Sequence, residues 1–227
     1  MKKSKTSCDL KSCFFCKHCL DEWLPAVETK RITFNLKKGE LLFKEGEDVL
    51  GMYFIYNGTI KVHKSWGTEK ELIVRFAKNG DIVGHRGLGI DSIYPVSATA
   101  IEDCTVCFIT LDFFNASLKV NNDLLYKLMM FFAEELKVSE RKMRDLAHMP
   151  VKGRVAQALL TLKERFGVTD KGLINIIITR QDLASFTGTA YETVYKILNE
   201  FIADNIIRVS EKSIAIVNEP ELKQIIG

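Results

Sequence analysis

The sequence predicts an α+β protein in which an antiparallel β-roll is followed by a long helix and a C-terminal winged helix-turn-helix. Short β-branched and aromatic runs alternate with glycine turns between residues 30 and 110. Residues 122–147 carry a helical repeat with no proline or glycine, and residues 151–227 mix helical and strand-like patterns. The expected segments are a Cys-rich arm (1–20), a β-roll domain (21–120), a long helix (121–147) and a C-terminal domain (148–227).

Evenly spaced turns predict the β-roll. Strand-like runs at 41–43, 52–56 and 73–76 each end just before a glycine-containing turn. This spacing favours a closed or rolled antiparallel structure, because a parallel sheet would need helices between its strands. The dipeptide Asn57-Gly58 predicts a two-residue hairpin between the strands that flank it.

The bulk composition excludes several classes of protein. The chain has 227 residues and is 47% hydrophobic, which is enough for packed cores. No apolar run approaches the roughly 18 residues of a membrane span, and the Lys-rich start leads into no signal core, so we expect a cytoplasmic protein without a membrane partner. No phosphate loop, nucleophile elbow or acid–base pair indicates an enzyme.

A coiled-coil repeat along the long helix predicts a homodimer. Its apolar positions alternate at spacings of four and three residues, and a second stripe of Leu124, Leu128 and Phe131 can pack on the β-roll. The alternative is a helix buried within one subunit. The predicted dimer seam consists of Leu125, Met129, Phe132, Leu136, Ser139, Met143 and Leu146.

Residues 179–201 predict two short crossing helices joined by a tight turn. Thr179 and Thr189 each precede an acidic residue by three positions, which is the pattern of a helix N-cap, and Gly188 supplies the turn between them. A strand-like run at 173–178 comes before this segment. Two apolar runs flanking residues 210–213 predict the hairpin of a wing.

The second of these helices is predicted to present a polar edge with donors, an acceptor and aromatic rings, which suits base edges in a DNA major groove. The alternative is a solvated face on which Glu192 pairs with Lys196. From residue 148 onward ten basic residues stand against nine acidic ones, so the prediction depends on the motif and not on net charge. The predicted DNA-binding residues are Arg180, Gln181, Thr189, Tyr191, Glu192, Tyr195, Lys196 and Asn199.

With these segments the chain resembles the CRP/FNR family of bacterial regulators from about residue 24 onward. The stretches TRQDLASFTG and YETVYKIL are similar to the recognition segment of that family. The resemblance implies a cyclic-nucleotide-binding-like β-roll, a homodimer on two-fold symmetric double-stranded DNA, and RNA polymerase as a further partner. Glu192 matches a base-contacting residue, but Lys196 stands where arginine is usual, so the operator sequence does not carry over.

The resemblance also places an effector pocket in the β-roll. Members that bind cyclic nucleotides hold the ribose with a Gly-Glu pair and the phosphate with an arginine and a hydroxyl. Here His85 replaces the glutamate, and Pro95-Val96 replaces the cation and hydroxyl, which argues against cyclic AMP because a buried phosphate needs a cation. The candidate pocket residues are Gly84, His85, Arg86, Val96 and Ser97.

The cysteines are the second lead to an effector. Cys8, Cys13, Cys16 and Cys19 follow the spacing C-x4-C-x2-C-x2-C, and Cys107 lies in a predicted strand. Resemblance to FNR-type members implies a [4Fe–4S] cluster on Cys13, Cys16, Cys19 and Cys107, with Cys8 as an additional candidate. The N-terminal spacing differs from theirs, so zinc and simple burial without metal stay open.

Two further interpretations belong to other classes of function. The first is a regulator that responds to another small molecule or to haem, for which His63, His85 and His148 are candidate ligands. The second is a ligand-binding or interaction module with a vestigial winged helix. Salt-dependent duplex binding distinguishes a DNA-binding protein from such a module, because DNA contacts release counterions.

Overall fold

The computed structural model describes residues 2–3, 9–67 and 70–227, and the chain divides into two compact units, Met1–Leu136 and Lys137–Gly227. Within the described residues, no helix is both long and apolar enough to cross a membrane.

The first unit is an antiparallel β-roll with helices at both ends of its sequence. Its helices are α1 (Phe14–His18), α2 (Leu24–Lys30), α3 (Leu111–Val120) and the first part of α4 (Asn122–His148), with 3-10 turns at Asp21–Trp23 and His85–Gly87. Its strands are β1 (Lys2–Lys3), β2 (Ile32–Leu36), β3 (Leu41–Phe43), β4 (Gly51–Asn57), β5 (Ile60–Trp66), β6 (Lys70–Ala77), β7 (Ile82–Val83), β8 (Ser97–Ala100) and β9 (Cys104–Thr110).

Two sheets enclose the core of this unit. One has the strand order β1-β2-β9-β4-β7 and the other β3-β8-β5-β6, and all pairings are antiparallel. Apolar side chains such as Phe54, Ile55 and Ile60 are fully buried in the core. The predicted rolled antiparallel structure is therefore confirmed.

The hairpin predicted at Asn57-Gly58 is wrong. β4 pairs with β7 and β9, whereas β5 pairs with β6 and β8, so the turn carries the chain from one sheet to the other. Gly58 has a φ of +93°, and a Cβ atom at this position would lie 2.6 Å from the Sγ atom of Cys104. The dipeptide marks the turn correctly but does not decide which strands pair.

The long helix α4 confirms the continuous helical repeat. Leu124 and Leu128 are buried in the core of the β-roll, and Phe131 is partly buried against it, as the second apolar stripe predicts. The burial of these side chains fixes the orientation of the first half of α4, because residues four apart lie on one helical face.

The second unit is a winged helix-turn-helix. Its core includes Leu159, Leu183, Val194 and Phe201, which are buried between the helices. The predicted helix pair and the predicted wing hairpin are both present. The elements after α4 are α5 (Val151–Phe166), α6 (Arg180–Thr187), α7 (Tyr191–Ala203), β10 (Ile207–Ser210), β11 (Ser213–Ile216) and α8 (Glu219–Ile226).

One of the two predicted helix caps is present and the other is wrong. Thr179 forms a capping box with Asp182 at the start of α6. The N-cap of α7 is Ala190, and no side chain caps this helix. Thr189 is instead held in the turn, because its backbone N–H donates to the carbonyl of Ala184 at 3.1 Å.

The strand predicted at 173–178 is also wrong, since this segment has only an isolated bridge between Val168 and Ile174. The apolar character of the run has another cause. Ile174 is buried, and its N–H donates to the carbonyl of Ile214 in β11 at 2.8 Å, so the segment packs beside the wing.

Candidate nucleic-acid interface and sensor residues

The turn between α6 and α7 is held by groups on both sides. Gly188 adopts the left-handed conformation that ends α6, with φ +65° and ψ +46°. Arg154 of α5 donates to three backbone carbonyls: from Nε to Thr187 at 2.9 Å, from Nη2 to Gly188 at 3.3 Å and from Nη1 to Met149 at 2.9 Å. One guanidinium thus joins the end of α4, the start of α5 and the turn.

The predicted DNA-binding residues of α7 lie on one exposed edge. Val194, Ile197 and Leu198 face the core on the opposite side, which explains why the polar positions project outward. Gln181 and Arg180 are exposed on α6, and Thr189 is half-buried. The exposed residues of α7 are Tyr191, Glu192, Tyr195, Lys196 and Asn199.

Stacked groups order part of this edge. The rings of Tyr191 and Tyr195 are 6.4 Å apart with an interplanar angle of 18°, and the Arg180 guanidinium lies 5.4 Å from the centroid of the Tyr195 ring. Among the described residues, neither Glu192 nor Lys196 forms an ion pair. The alternative of a mutually paired surface is therefore not observed, and both side chains are available to a ligand.

The predicted dimer seam is an apolar stripe along α4. Met129, Leu136 and Met143 are 56–61% exposed, and Leu125 and Phe132 are exposed as well. Ser139 and Leu146 are half-buried. Large exposed apolar side chains repeated along one helix are typical of a helix that packs on a partner.

Two predicted effector residues converge on a glutamate of α4. Arg86 Nη2 lies 2.7 Å from Glu135 Oε2, and His85 Nε2 lies 3.7 Å from the same oxygen. Arg75 Nη1 lies 3.0 Å from Oε1. Arg75 and Glu135 were not singled out from sequence, because Glu135 falls beside the seam positions and looks like any surface residue of a helix.

The surroundings shift the ionisation of this group. Burial alone would raise the pKa of Glu135, but the nearby His85 imidazole and the charges of Arg75 and Arg86 outweigh it and hold that pKa well below its usual range. Burial lowers the pKa of His85, and Glu135 opposes this shift. Glu135 is therefore ionised near neutral pH.

The remaining predicted pocket residues are buried or form hydrogen bonds within the β-roll. Ser97 Oγ accepts a hydrogen bond from the backbone N–H of Glu45 at 2.9 Å, and Val96 is buried. Gly84 is buried with a φ of +91°, and a Cβ atom there would lie 3.3 Å from the Tyr94 ring. The predicted pocket thus separates into His85 and Arg86, which approach Glu135, and Gly84, Val96 and Ser97, which are buried within the fold.

The cysteines of the arm pack into the β-roll. Cys13, Cys16 and Cys107 are buried in its core, and Cys13 Sγ accepts a hydrogen bond from Cys16 N at 3.4 Å. Burial, with a contribution from Cys13, raises the pKa of the Cys19 thiol to about 12. Cys8 lies outside the described residues.

Contacts bring the arm to the face of the sheet that carries Cys107. The ring of Phe15 lies 5.2 Å from that of Phe54, and Phe54 is the register partner of Cys107 in the β4–β9 pair. Residues directly opposite one another in an antiparallel pair project to the same face. Cys104 belongs to a different environment, since its Sγ donates to the carbonyls of Thr59 and Glu102 at 3.3 and 3.2 Å.

The thiols suit a soft metal by their chemistry. In the part of the chain that the structure describes, however, no three His, Cys, Asp or Glu residues are arranged to hold a metal ion. Both ring nitrogens of His63, one of the histidines considered as a haem ligand, contact protein groups. Nδ1 lies 2.7 Å from Glu71 Oε2, and Nε2 lies 2.9 Å from Thr99 Oγ1.

A β-roll, a long helix and a winged helix-turn-helix with an exposed second helix define a class of two-domain DNA-binding regulators. Two family profiles match the chain: a cyclic nucleotide-binding domain over residues 33–121 and a Crp-like helix-turn-helix domain over residues 153–225. The chain belongs to the CRP/FNR family of DNA-binding transcription regulators.

Relatives of known name agree with this assignment. The chain is 32% identical over 203 residues to the anaerobic regulatory protein of Bacillus subtilis, covering 88% of this chain and 84% of the relative. It is 30% identical over 208 residues to the cAMP-activated global transcriptional regulator CRP of Salmonella typhimurium, covering 89% and 92%. The structure of FixK2 from Bradyrhizobium japonicum superposes with a TM-score of 0.78 at 23% identity, covering 87% of this chain and 98% of that one.

Proposed function

We propose that the chain acts as a homodimer that binds a two-fold symmetric DNA site through α7, and that its Cys-rich arm makes binding depend on redox or metal state. The observation that carries the proposal is the exposed edge of α7, on which none of the five predicted DNA-binding side chains is buried.

The chemistry of this edge suits sequence reading in a major groove. Glu192 can accept from a cytosine amino group, and Asn199 can form a bidentate pair with N6 and N7 of an adenine. Lys196 offers a flexible cation, which tolerates more than one base or phosphate position. Arg180, exposed at the start of α6, suits a backbone phosphate because phosphate contacts position the protein without reading sequence.

The apolar stripe of α4 supports the homodimer. Burying it against a second copy would remove several large side chains from water, each worth about 1.5–3 kcal/mol when fully buried. A dimer carries two copies of α7, which is what a two-fold symmetric site requires. We include RNA polymerase as the partner through which such a dimer would affect transcription.

Duplex binding over a series of salt concentrations tests the DNA proposal. We expect affinity to fall steeply with salt, and Arg180→Gln to reduce the slope of log K against log salt by about 1. Lys171→Gln in the exposed turn before α6 is the matched control and should leave the slope closer to that of the wild type. Salt-independent binding, or no binding to any duplex, would support the interaction module instead.

The redox part of the proposal is supported by the names of two relatives and by the packing of the Cys-rich arm on the sheet face that carries Cys107. One relative is named an anaerobic regulatory protein, and another, from Vibrio cholerae, is named a fumarate and nitrate reduction regulatory protein at 28% identity over 212 residues. Cys13, Cys16, Cys19 and Cys107 are the proposed ligands, with Cys8 as an additional candidate. When bound, a [4Fe–4S] cluster would supply an oxygen-sensitive centre, and zinc is the alternative occupant.

Anaerobic reconstitution with iron and sulfide tests this assignment. We expect visible charge-transfer absorbance that Cys107→Ser abolishes. Cys104→Ser is the matched control, because Cys104 lies in the same strand as Cys107 but its thiol donates to the carbonyls of Thr59 and Glu102. This variant should retain the absorbance. Bound zinc without iron would select the alternative metal, and a metal-free protein under both conditions would contradict a metal-sensing arm.

We further propose that cyclic AMP is not the effector. The Ser97 hydroxyl is bonded within the fold, and Lys64, whose Nζ lies 3.3 Å from the Pro95 carbonyl, is paired with Glu45 at 3.1 Å. Neither group is thus set aside for a phosphate. The expected result is an unchanged melting temperature in saturating cyclic AMP, and a marked rise would contradict this part of the proposal.

A further inference from the structure

The C-terminal part of α4 has a covered face that overlaps the predicted dimer seam. From residue 137 onward, α4 belongs to the second compact unit. Its half-buried positions there include Ser139, Lys142, Leu146 and Met149, whose backbone continues the helix, whereas Met143 between them is 61% exposed. Positions that recur at spacings of three and four residues lie on one face of a helix. Other residues of the same chain therefore partly cover this face.

A cation–π contact connects this face of α4 to α6. The Nζ atom of Lys142 lies 4.3 Å from the centroid of the Phe186 ring, well within the roughly 6 Å over which a cation is attracted to an aromatic face. Phe186 lies in the last turn of α6 and is half-buried, as is Lys142. Partial shielding from water makes such a contact stronger than it is between fully exposed groups.

Arg154 holds the same end of α6 through the backbone. Its guanidinium donates to the carbonyl of Met149, which follows α4, and to the carbonyls of Thr187 and Gly188, which follow Phe186 directly. Lys142 and Arg154 thus contact adjacent residues of α6 and its turn, one through a side chain and the other through carbonyl groups. The C-terminal end of α6 is therefore attached to the end of α4 at two points.

The direction of α7 follows from that of α6. Only Thr189 and Ala190 separate Gly188 from the first residue of α7, and the N–H of Thr189 donates back to the carbonyl of Ala184 in α6 at 3.1 Å. Both helices also bury side chains in the core of the unit. A contact that fixes α6 on α4 therefore also fixes the direction in which the exposed edge of α7 points.

We propose that Lys142 is a positioning residue for DNA binding: through Phe186 it fixes the direction of α7 relative to α4, and in the dimer it thereby selects the spacing of half-sites that the protein binds. This inference rests on the proposed function, because spacing matters only where two copies of α7 bind one duplex. One base pair inserted between half-sites moves them apart by about 3.4 Å and turns them by about 34°. A firmly attached α7 rejects this change, and a loosely attached one tolerates it.

The contact itself is tested on the full chain without DNA, by a double-mutant cycle. Lys142→Met removes the charge and keeps an unbranched side chain, and Phe186→Leu removes the ring. We expect the double variant to change the unfolding equilibrium constant in urea by about 2–5-fold less than the product of the two single effects, as the loss of one shared cation–π contact implies. Independent effects of the two changes would overturn the contact on which the positioning role depends.

The positioning role is tested with duplexes that carry two copies of the half-site that the wild-type protein enriches from a randomised library. The half-sites stand at the enriched spacing or with one base pair added between them. We expect the wild type to prefer the enriched spacing by about tenfold or more. In Lys142→Met and in Phe186→Leu this preference should fall by about threefold or more, while affinity for a duplex with a single half-site changes by less than about twofold.

Three control variants make the result specific. Arg141→Met removes a positive charge from the preceding, exposed position of α4 and should keep the wild-type preference. Lys142→Arg and Phe186→Tyr conserve the cation and the ring, so they should keep it as well. If Lys142→Met or Phe186→Leu does not fold, the other variant decides.

The outcomes separate this proposal from the proposed function. An undiminished spacing preference in Lys142→Met and Phe186→Leu would overturn the positioning role, and so would a loss of equal size in Arg141→Met. An equal fall in affinity for all duplexes would overturn it too, because Lys142 would then only stabilise the unit. A wild-type protein without any spacing preference would instead contradict the symmetric dimer, and the positioning role with it.

Discussion

At the scale of single residues, Glu192 is a predicted DNA-binding residue that the fold leaves exposed. It lies in the first turn of α7, is exposed, and forms no ion pair within the described part of the chain. A carboxylate at this position accepts hydrogen bonds only, so it favours bases that present a donor.

Replacing Glu192 with alanine should change base preference and leave overall affinity for DNA much less affected. We expect the preference at one base pair of each half-site to relax by about 1–3 kcal/mol. Selection from a randomised duplex library measures this, with Glu164→Ala on the exposed surface of α5 as the control. An unchanged preference in Glu192→Ala would remove this residue from the recognition edge.

Glu71 contributes a pH-dependent part of the stability. Burial would raise the pKa of Glu71, but hydrogen bonds and charges from His63 and Lys61 lower it to about 2 from an ordinary value of 4.5. Because the pKa is lower in the folded state than in the unfolded chain, the stabilisation is present above about pH 4.5 and is lost as the pH falls toward 2.

The variant Glu71→Gln should therefore be less stable at neutral pH, by on the order of 2 kcal/mol, and should approach the wild type at low pH. Urea unfolding between pH 7 and the acid limit measures the difference in free energy of unfolding. A difference that stays constant with pH would show that the loss comes from packing and not from the charge of Glu71.

Roles of single residues could be predicted from the sequence where they depend on neighbouring residues, and could not where they depend on partners far along the chain. Thr179 is a helix cap because its hydroxyl needs only the N–H of Asp182, three residues on. Glu135 escaped notice because its role depends on Arg75, sixty positions away. The DNA-binding and metal-binding roles of the predicted residues stay predictions.

At the scale of elements, the helix-turn-helix depends on Arg154 as well as on its own caps. Arg154→Lys should lower the free energy of unfolding by about 1–3 kcal/mol, because an ammonium cannot reach the carbonyls of Thr187, Gly188 and Met149 together. The measurement is denaturant unfolding, with DNA affinity as a second readout. Stability equal to that of the wild type would show that the three contacts do not hold the turn.

The seam of α4 makes a separate prediction at this scale. Met129→Glu places a charge in the apolar stripe and should convert a dimer into a monomer at micromolar concentration, as measured by sedimentation equilibrium. Val138→Glu is the control, because Val138 is exposed on α4 but is not one of the seam positions. A monomeric wild-type protein, or a dimer that Met129→Glu leaves intact, would contradict the seam.

The sequence predicted which segments are helices or turns better than it predicted which strands pair with each other. The period of α4 gave its length to within one residue, because a helix needs only local spacing. The turn at Asn57-Gly58 was recognised but its hairpin was not, since the roll separates β4 and β5 into different sheets. The segment 173–178 looked like a strand because it is apolar, but it has no ladder partner in the described structure beyond a single bridge.

At the scale of the whole molecule, the predicted sensor residues and the predicted DNA-binding residues lie in separate compact units along the chain. The sequence of α4 contributes to both units and carries Glu135 as well as the seam. In the proposed dimer, a signal at the arm or at Glu135 would affect DNA binding by changing how the two copies of α7 are presented.

Selection of bound sequences from a randomised duplex library by the wild-type protein asks whether two copies of α7 read DNA together. We expect an enriched two-fold symmetric site whose half-sites are about 10–11 base pairs apart from centre to centre, as two recognition helices on one face of the duplex require. Enrichment of no sequence, or of a single half-site without its symmetric partner, would contradict DNA reading by a symmetric dimer.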